Sequence, residues 1–356
     1  MNSGFNFIYD EFVVMEGMTI MDSYGWLKVL AISLIAVIAI GEVCAYGFDT
    51  SDFDARCTWD DGSLTLEVYS SGSDTYDAVL LEDNRALQDA FIYVDENNTL
   101  FYTAHGSEAG PILIDSMDYA EQIAIYASVH GFDDVTIGGS EGLSDYISTT
   151  SSSPYDHAIV MVSQALPSSV YMGSASDPIL EWLSDGGTLY WMASEIGAYY
   201  SDGSSLHEVS GGQTLFLGSE CQNLSKYDGH TKDVGNGIRD ALSLKTSSPL
   251  FGIDTTQARD YLEVGYTTDN ISSITFIGHG LGTVCIISDT ADIDQYDDIG
   301  QLLTSGIDHD TIIVEHAEGH VDHGYATITM TSGSNNQSLF VYIGGIYTMY
   351  GRLFTQ

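Results

Sequence analysis

The sequence predicts an α/β protein whose central sheet is mostly parallel and carries helices on both faces. Two runs, 157–162 (HAIVMV) and 188–192 (TLYWM), are apolar without polar alternation, which is typical of strands covered on both sides. Between them, Asp177 and Pro178 combine an N-cap residue with a proline suited to the first helical turn. This β–α–β order with short connections favours parallel strands.

The segment before this core predicts a small β region over residues 49–99. Residues 63–69 (SLTLEVY) alternate with a period of two, which indicates a half-buried strand. Residues 79–84 and 90–94 extend the same region. The α/β domain then occupies residues 100–300.

Within the α/β domain, residues 119–130 predict a helix that ends at Gly131, a residue suited to a helix C-terminus. The C-terminal residues 301–356 predict a tail rich in β-hairpins. Its runs 311–315 and 325–330 flank a glycine-containing turn and predict one hairpin, and the apolar, aromatic run 338–354 predicts a strand pair.

The N-terminal residues 1–48 predict a signal peptide or a signal anchor. The apolar run 29–40 follows Lys28 and is short for a membrane span but suits a signal-peptide core. Small residues before a cut after Ala45 favour cleavage, while an uncleaved single span is the alternative. Residues 1–20 are interpreted as an over-extended start. Either way, the chain is expected outside the cytoplasm, secreted or anchored through this segment.

The charge balance excludes some partners. The chain has 9 Lys and Arg against 51 Asp and Glu, a formal net charge of −42. Nucleic acids and anionic lipid surfaces need clustered basic residues, so neither is an expected partner. High salt screens the repulsion between so many acids. The composition therefore indicates a halophilic-type, acidic protein of an archaeal-type cell surface.

Two further features suit an exported chain. The mature part contains three cysteines, and Cys285 lies in an apolar run that predicts a buried thiol rather than a disulfide. Four Asn-x-Ser/Thr triplets predict glycosylation in polar turns. The acceptors are Asn97, Asn223, Asn270 and Asn336.

The order of these units resembles the class I glutamine-amidotransferase-like superfamily, particularly its non-catalytic, ThuA-like members. The resemblance rests on the strand 156–162 (DHAIVMV), the proline-capped helix and the run 185–192 (DGGTLYWM). The run 278–287 (GHGLGTVCII) is similar to the strand that often closes such domains. The resemblance covers residues 100–290 and implies a flavodoxin-like parallel sheet.

The same resemblance implies that glutaminase chemistry is absent. Catalytic members place a nucleophilic cysteine just after the strand that here ends at Met192, where this chain has Ala-Ser-Glu-Ile-Gly. Ser194 lies in this turn and is the candidate nucleophile of an alternative hydrolase, because α/β sites form at the carboxyl ends of strands. His230 and His279 are the candidate bases, and the spacing selects neither.

The densest set of potential metal ligands lies between His316 and His323. It comprises His316, Glu318, His320 and His323, and imidazoles with carboxylates are ligands that zinc prefers. The predicted hairpin would bring His316 and His323 face to face. A second acidic run, 292–298, could bind Ca²⁺, although a solvated turn is the simpler interpretation.

We therefore expect a non-catalytic secreted or cell-surface protein with a binding or structural role. The alternative is an exported hydrolase that uses Ser194 or a metal bound by the His316–His323 cluster. A divalent metal, Zn or Ca, is the one cofactor that the sequence suggests, and none is required. Partners in the envelope and self-association are left open.

Overall fold

A computed structural model describes most of the chain after the N-terminal 52 residues. The described ranges are 53–60, 63–95, 100–102, 113–192, 196–218, 223–224, 232–246, 252–256, 258–268, 270–287, 294–331, 337–344 and 347–353. The predicted signal segment, 1–48, lies outside them. None of the helices in these ranges combines the length and apolar character that crossing a membrane requires.

Strands predominate over helices, and the chain is a mixed α/β protein. In chain order the strands are β1 (Phe53–Asp60), β2 (Ser63–Glu82), β3 (Asp89–Val94), β4 (Leu100–Tyr102), β5 (Leu113–Asp115), β6 (Val135–Gly138), β7 (His157–Val162), β8 (Leu166–Pro167), β9 (Thr188–Trp191), β10 (Tyr199–Ser201), β11 (Leu206–Glu208), β12 (Asn223–Leu224), β13 (Lys232–Asp233), β14 (Gly252–Asp254), β15 (Tyr261–Thr268), β16 (Ile271–His279), β17 (Gly282–Ile287), β18 (Ile312–Thr331), β19 (Gln337–Ile343) and β20 (Tyr347–Leu353). The helices are α1 (Ser116–Val129), α2 (Ser140–Thr150), α3 (Pro178–Ser184), α4 (Gly212–Leu217), α5 (Ile238–Ala241) and α6 (Asp294–Ser305).

The larger sheet contains a parallel part and an antiparallel part. Strands β6, β3, β7, β9 and β17 are neighbours in that order, and each adjacent pair is parallel. Beyond β17 the sheet continues antiparallel through β16, which pairs with β14 and β15. Strand β3, which the sequence analysis grouped with the small β region, therefore lies inside the parallel part, where a run of five apolar residues is covered on both sides.

Helices cover both faces of this sheet, which explains the uninterrupted apolar strands. Helices α1, α5 and α6 share one apolar cluster with alternate residues of β3 and β7, among them Ile92 and Val160. Helices α2, α3 and α4 share a second cluster with the intervening residues, among them Tyr93 and Ile159. Successive strand residues point to opposite faces, so a strand buried on both sides has no polar position.

The second sheet joins the two ends of the described chain. The long strands β2 and β18 pair antiparallel along nearly their whole length, and β19 and β1 flank β2 on its other side. The predicted hairpin at 311–330 is therefore wrong: residues Ile312–Thr331 form one strand, and its partner is β2. The glycines in this run fit a strand because Gly319 lies against the Tyr76 ring, where an added Cβ would be 2.4 Å from the phenol oxygen.

Strands β2 and β18 bend sharply near their middles. Leu64 and Leu80 belong to one apolar cluster although a straight strand would place them about 50 Å apart. The bend in β18 coincides with a register shift between Asp322 and Gly324 and with a left-handed backbone at His323 (φ 43°). The two halves of the sheet thus fold over each other and enclose their own small core.

The other face of this second sheet packs on the α/β part. Val79, Leu81 and Phe340 lie in the same apolar cluster as Ile238 and Leu242 of the α5 segment. Asp77 and His316 therefore lie at the margin of a buried contact between the second sheet and α5. This margin positions the potential metal ligands described below.

Helix α6 carries a buried carboxylate that the sequence did not reveal. The acidic run 292–298 is not a solvated turn in its described part, since Asp298 lies in the helix and is fully buried. Its two oxygens accept hydrogen bonds from the backbone N–H groups of Lys245 and Thr246, each at 2.7 Å. Burial raises the pKa of the Asp298 carboxyl from 3.8 to about 6, against the opposing effect of these hydrogen bonds.

This raised pKa predicts that the free energy of unfolding depends on pH. Protonation is favoured in the folded state, so the stabilisation from Asp298 is complete below pH 3.8 and is lost as the pH rises through about 6. Asp298→Asn should abolish a difference on the order of 2–3 kcal/mol in the free energy of unfolding between pH 4 and pH 7. Urea unfolding at fixed salt measures this, with exposed Asp145→Asn as control. If the free energy of unfolding changed equally with pH in the wild type and in Asp298→Asn, the assignment would be contradicted.

Candidate metal centre

The second sheet brings three potential metal ligands together. Asp77 of β2 and His316 and Glu318 of β18 each offer one ligand atom, and these three atoms lie within 4.8 Å of one another. His316 and Glu318 are two positions apart on one strand and therefore share a face. The face is the one that packs towards α5.

Strand register explains why two carboxylates meet at this point. Glu318 is directly opposite Asp77 in the ladder, and His316 is opposite Val79 on the same face. Like charges directly across an antiparallel pair destabilise a sheet. A cation between the two carboxylates would remove this repulsion.

The imidazole of His316 is fixed by the loop that precedes α5. Gly237 has a left-handed backbone (φ 80°), and a Cβ there would be 2.2 Å from His316 Cδ2. The His316 Nε2 atom is buried and makes no hydrogen bond to any described residue. It lies 3.6 Å from Asp77 Oδ1. Gly237 is therefore required for the ring position, and Nε2 points towards the carboxylates.

Electrostatics around Asp77 favour a bound cation or proton. Burial raises the pKa of the Asp77 carboxyl, the negative charges of Asp240 and Glu318 raise it further, and His316 opposes the rise. The nearby Arg239 is already engaged, because it forms ion pairs with Asp233 and Asp240. Its positive charge is thus shared with carboxylates of its own segment.

The structure separates the other two predicted histidine ligands from this centre. His320 lies further along β18, where its Nε2 is 2.8 Å from Ser73 Oγ. His323 is at the bend, exposes 72% of its side chain and bonds to the Ser71 carbonyl. The prediction that His316 and His323 face each other is wrong, because both lie on one continuous strand. His316 and Glu318 remain in the cluster, and Asp77 is the potential ligand that sequence reasoning missed.

The donor set selects the class of metal. One imidazole nitrogen and two carboxylate oxygens suit Zn²⁺ or a similar first-row divalent ion. Ca²⁺ prefers six to eight oxygen ligands, so an imidazole in the set argues against it. Three protein ligands also leave coordination positions for water or another ligand.

The alternative nucleophile Ser194 and the candidate base His230 lie outside the described residues. The other candidate base, His279, is the residue opposite Gly282 at the amino end of β17. Its Nδ1 lies 2.9 Å from the Phe216 carbonyl and donates to it. The carboxyl end of β9, which is parallel to β17, lies at the opposite end of these strands from His279.

The structure describes two of the predicted modification sites and one predicted thiol. Asn270 lies exposed in the turn between β15 and β16 with a left-handed backbone (φ 70°), and Asn223 lies in the short strand β12. Asn97 and Asn336 lie outside the described residues. Cys285 is a free, fully buried thiol, as predicted, and its burial raises the thiol pKa well above 9.0.

Comparisons with known proteins give a few distant structural neighbours. No protein-family model and no curated protein matches the sequence. A β-galactosidase of the haloarchaeon Halorubrum lacusprofundi aligns with 64% of this chain and 32% of its own (TM-score 0.34, 13% identity). A cytoplasmic protein of Salmonella typhimurium aligns with 61% of this chain and 98% of its own (TM-score 0.30, 12% identity). The chain thus spans about a third of the β-galactosidase, and it is similar to these proteins only distantly.

Proposed function

We propose that this chain is an exported, non-catalytic binding or structural protein of the cell surface that holds a divalent metal at Asp77, His316 and Glu318. The observation that carries the metal is the pair of directly opposed carboxylates beside a buried imidazole nitrogen without a hydrogen bond from the described residues. A cation there relieves repulsion and satisfies the nitrogen at once.

The proposed core is a flavodoxin-like, amidotransferase-like domain without the amidotransferase nucleophile. The parallel strands follow the order β6, β3, β7, β9 and β17, which is second, first, third, fourth and fifth along the chain. This order is that of flavodoxin-like sheets. The sequence has no cysteine directly after β9, which supports a binding role rather than glutaminase chemistry.

The proposed location rests on the N-terminal segment and the acidic composition. The apolar run 29–40 supports export with or without cleavage, and a surface with few basic residues suits a high-salt exterior. Intact-mass measurement of protein from the native envelope tests this. A mature chain that begins after Ala45 supports a secreted form, the whole span supports an anchored form, and recovery from the cytoplasm contradicts export.

Zinc binding tests the proposed metal centre directly. Asp77→Asn/Glu318→Gln should weaken Zn²⁺ binding at this centre by at least about tenfold, because two of the three ligands lose their charge. Calorimetric titration of chelator-treated protein in high salt measures the affinity. The matched control is Asp322→Asn/His320→Gln, which alters the same strand outside the cluster. An equal loss of Zn²⁺ affinity in both double variants would contradict the assignment. So would an unchanged affinity in Asp77→Asn/Glu318→Gln.

A second candidate function is an exported metal-dependent hydrolase at the same centre. Three protein ligands leave open positions, as catalytic zinc sites do. Chelator-sensitive hydrolysis of simple ester or phosphoester substrates, lost in Asp77→Asn/Glu318→Gln, would favour this function over the non-catalytic one. The Ser194 hydrolase would instead be insensitive to chelators and lost in Ser194→Ala.

A further inference from the structure

A second histidine–carboxylate cluster lies beside the amino-terminal ends of the parallel strands. It is separate from the candidate metal centre on β18. It comprises Asp260, which precedes β15, and His309 and Asp310, which lie between α6 and β18. One ligand atom from each lies within 4.8 Å of the others. The sequence analysis singled out none of the three.

The burial of these residues is asymmetric, with a buried imidazole and two solvent-exposed carboxylates. The His309 side chain is 2% exposed, whereas those of Asp260 and Asp310 are 70% and 69% exposed. His309 Nε2 lies 3.7 Å from Asp260 Oδ2 and 3.4 Å from Asp310 Oδ1. A buried nitrogen thus points outwards between two carboxylates that are open to solvent.

A buried hydroxyl behind the imidazole sets its orientation. Thr283 of β17 is fully buried, and its Oγ1 lies 2.6 Å from His309 Nδ1. When Nδ1–H donates to this oxygen, the Nε2 lone pair faces the carboxylates. Metal-bound histidines are held in this way, with the far nitrogen bonded to a fixed polar group.

The backbone around the cluster leaves space for the ring and the carboxylate. A Cβ at Gly278 would lie 2.7 Å from His309 Cδ2 and 2.9 Å from Asp260 Oδ2. The Gly278 N–H donates to the Asp260 carbonyl at 2.8 Å, which holds Asp260 in place. Any larger residue at 278 would displace both ligands.

The local charge is uncompensated in the described part of the chain. Arg85, the nearby buried cation, is paired with Asp308, and the ion-pair contacts of Asp260 and Asp310 run to His309. Asp83 is close enough to feel this negative charge, since burial and then Glu82, Asp308 and Asp310 raise the pKa of its carboxyl. Among these described residues, Asp83, Asp260 and Asp310 are carboxylates without an ion pair to Lys or Arg, whereas Arg85 is paired with Asp308.

We propose that Asp260, His309 and Asp310 form a second divalent-metal site that accepts Zn²⁺ or a similar first-row ion. One nitrogen and two oxygens exclude a dedicated Ca²⁺ site for the reason given above. The ion would join the start of β15 to the segment that leads into β18, and so connect the antiparallel part of the larger sheet to the second sheet. Its role is structural, and water completes its coordination.

The test uses the full chain with the first centre already inactivated by Asp77→Asn/Glu318→Gln, so that failure of the first proposal does not affect it. In this background we expect one bound Zn²⁺ per chain by titration calorimetry and metal analysis. Adding Asp260→Asn/Asp310→Asn should weaken its binding by at least about 100-fold, since loss of outer partners alone costs about 10–100-fold. Asparagine tolerates the left-handed backbone of Asp260 (φ 57°), so the fold should persist.

Two further variants make the result specific. Glu121→Gln/Glu141→Gln also removes two negative charges, but from exposed helix positions, and should leave Zn²⁺ binding unchanged. Thr283→Val keeps the side-chain shape, removes the hydroxyl behind His309, and should weaken binding by about tenfold. A zinc-soaked crystal should show anomalous density about 2.0–2.2 Å from His309 Nε2 and from both carboxylates. No bound Zn²⁺, or undiminished binding in Asp260→Asn/Asp310→Asn, would overturn the proposal.

Discussion

Arg85→Met should lower the free energy of unfolding by about 3–5 kcal/mol, because it leaves the buried Asp308 carboxylate without its counter-charge. Both side chains are at most 2% exposed, and Arg85 Nε donates to Asp308 Oδ2. The guanidinium also donates to the carbonyls of Gly186 and Leu281, and its carbon lies 4.3 Å from the centre of the Tyr155 ring. The Arg85 side chain thus connects three separate turns near the amino-terminal ends of the parallel strands.

Urea unfolding in fixed high salt measures this loss, and a double-mutant cycle identifies its cause. Arg85→Met/Asp308→Leu should recover part of the stability, since an apolar pair leaves no buried charge. Arg259→Met is the control, because Arg259 is exposed and the same side chain is removed. If the double variant were as unstable as the sum of the single variants, charge burial would not be the cause.

Trp191→Ala should cost about 3–5 kcal/mol, the usual range for removing a large buried aromatic side chain. Trp191 ends β9, is fully buried, and meets the Phe216 ring edge-on at a centroid distance of 5.2 Å. Alanine would leave a cavity between the sheet and the face covered by α2, α3 and α4. Phe216 and the neighbouring side chains cannot fill such a space without leaving their own positions.

Trp191→Phe is the matched variant for this prediction. The indole Nε1 is buried and has no hydrogen-bond partner among the described residues, so its removal leaves no polar group unsatisfied. We expect a cost below about 1.5 kcal/mol for this apolar replacement. Thermal and urea unfolding of the three proteins measure the difference. A Phe variant as unstable as the Ala variant would contradict the assignment of the loss to the deleted side-chain volume.

The local elements of the α/β part could be predicted from the sequence. The runs around Ile159 and Leu189 are strands, α3 begins at Pro178, and Gly131 follows α1 with a left-handed backbone (φ 88°). Each of these features depends on neighbours a few residues away. Proline geometry, glycine freedom and unbroken apolar runs act at that range.

The partners of the long strands could not be predicted in this way. The run 311–330 contains glycines and polar residues, and local turn chemistry favoured a hairpin over one long strand. Its partner β2 lies at the other end of the described chain, and only β2 provides the ladder that keeps the run extended. Pairing between distant strands depends on the whole fold rather than on local preference.

The candidate metal centres show the same division. The ligand-rich sequence around His316 and Glu318 predicted a candidate metal site, because residue type decides which ions a side chain can bind. Tertiary structure decided which ligands converge: it added Asp77 through strand register and excluded His320 and His323, which lie further along the same strand. It also assembled Asp260, His309 and Asp310 from two segments with no shared motif.

The sequence by itself determined the chemistry of this protein: an acidic chain with few basic residues, apolar strands that must be covered on both sides, and imidazoles among carboxylates. The tertiary structure alone decided which distant strands pair and which side chains share one point in space. The physical reason is that solvation and backbone preference act locally, whereas convergence of ligands requires the free energy of the entire packed fold to hold remote segments together.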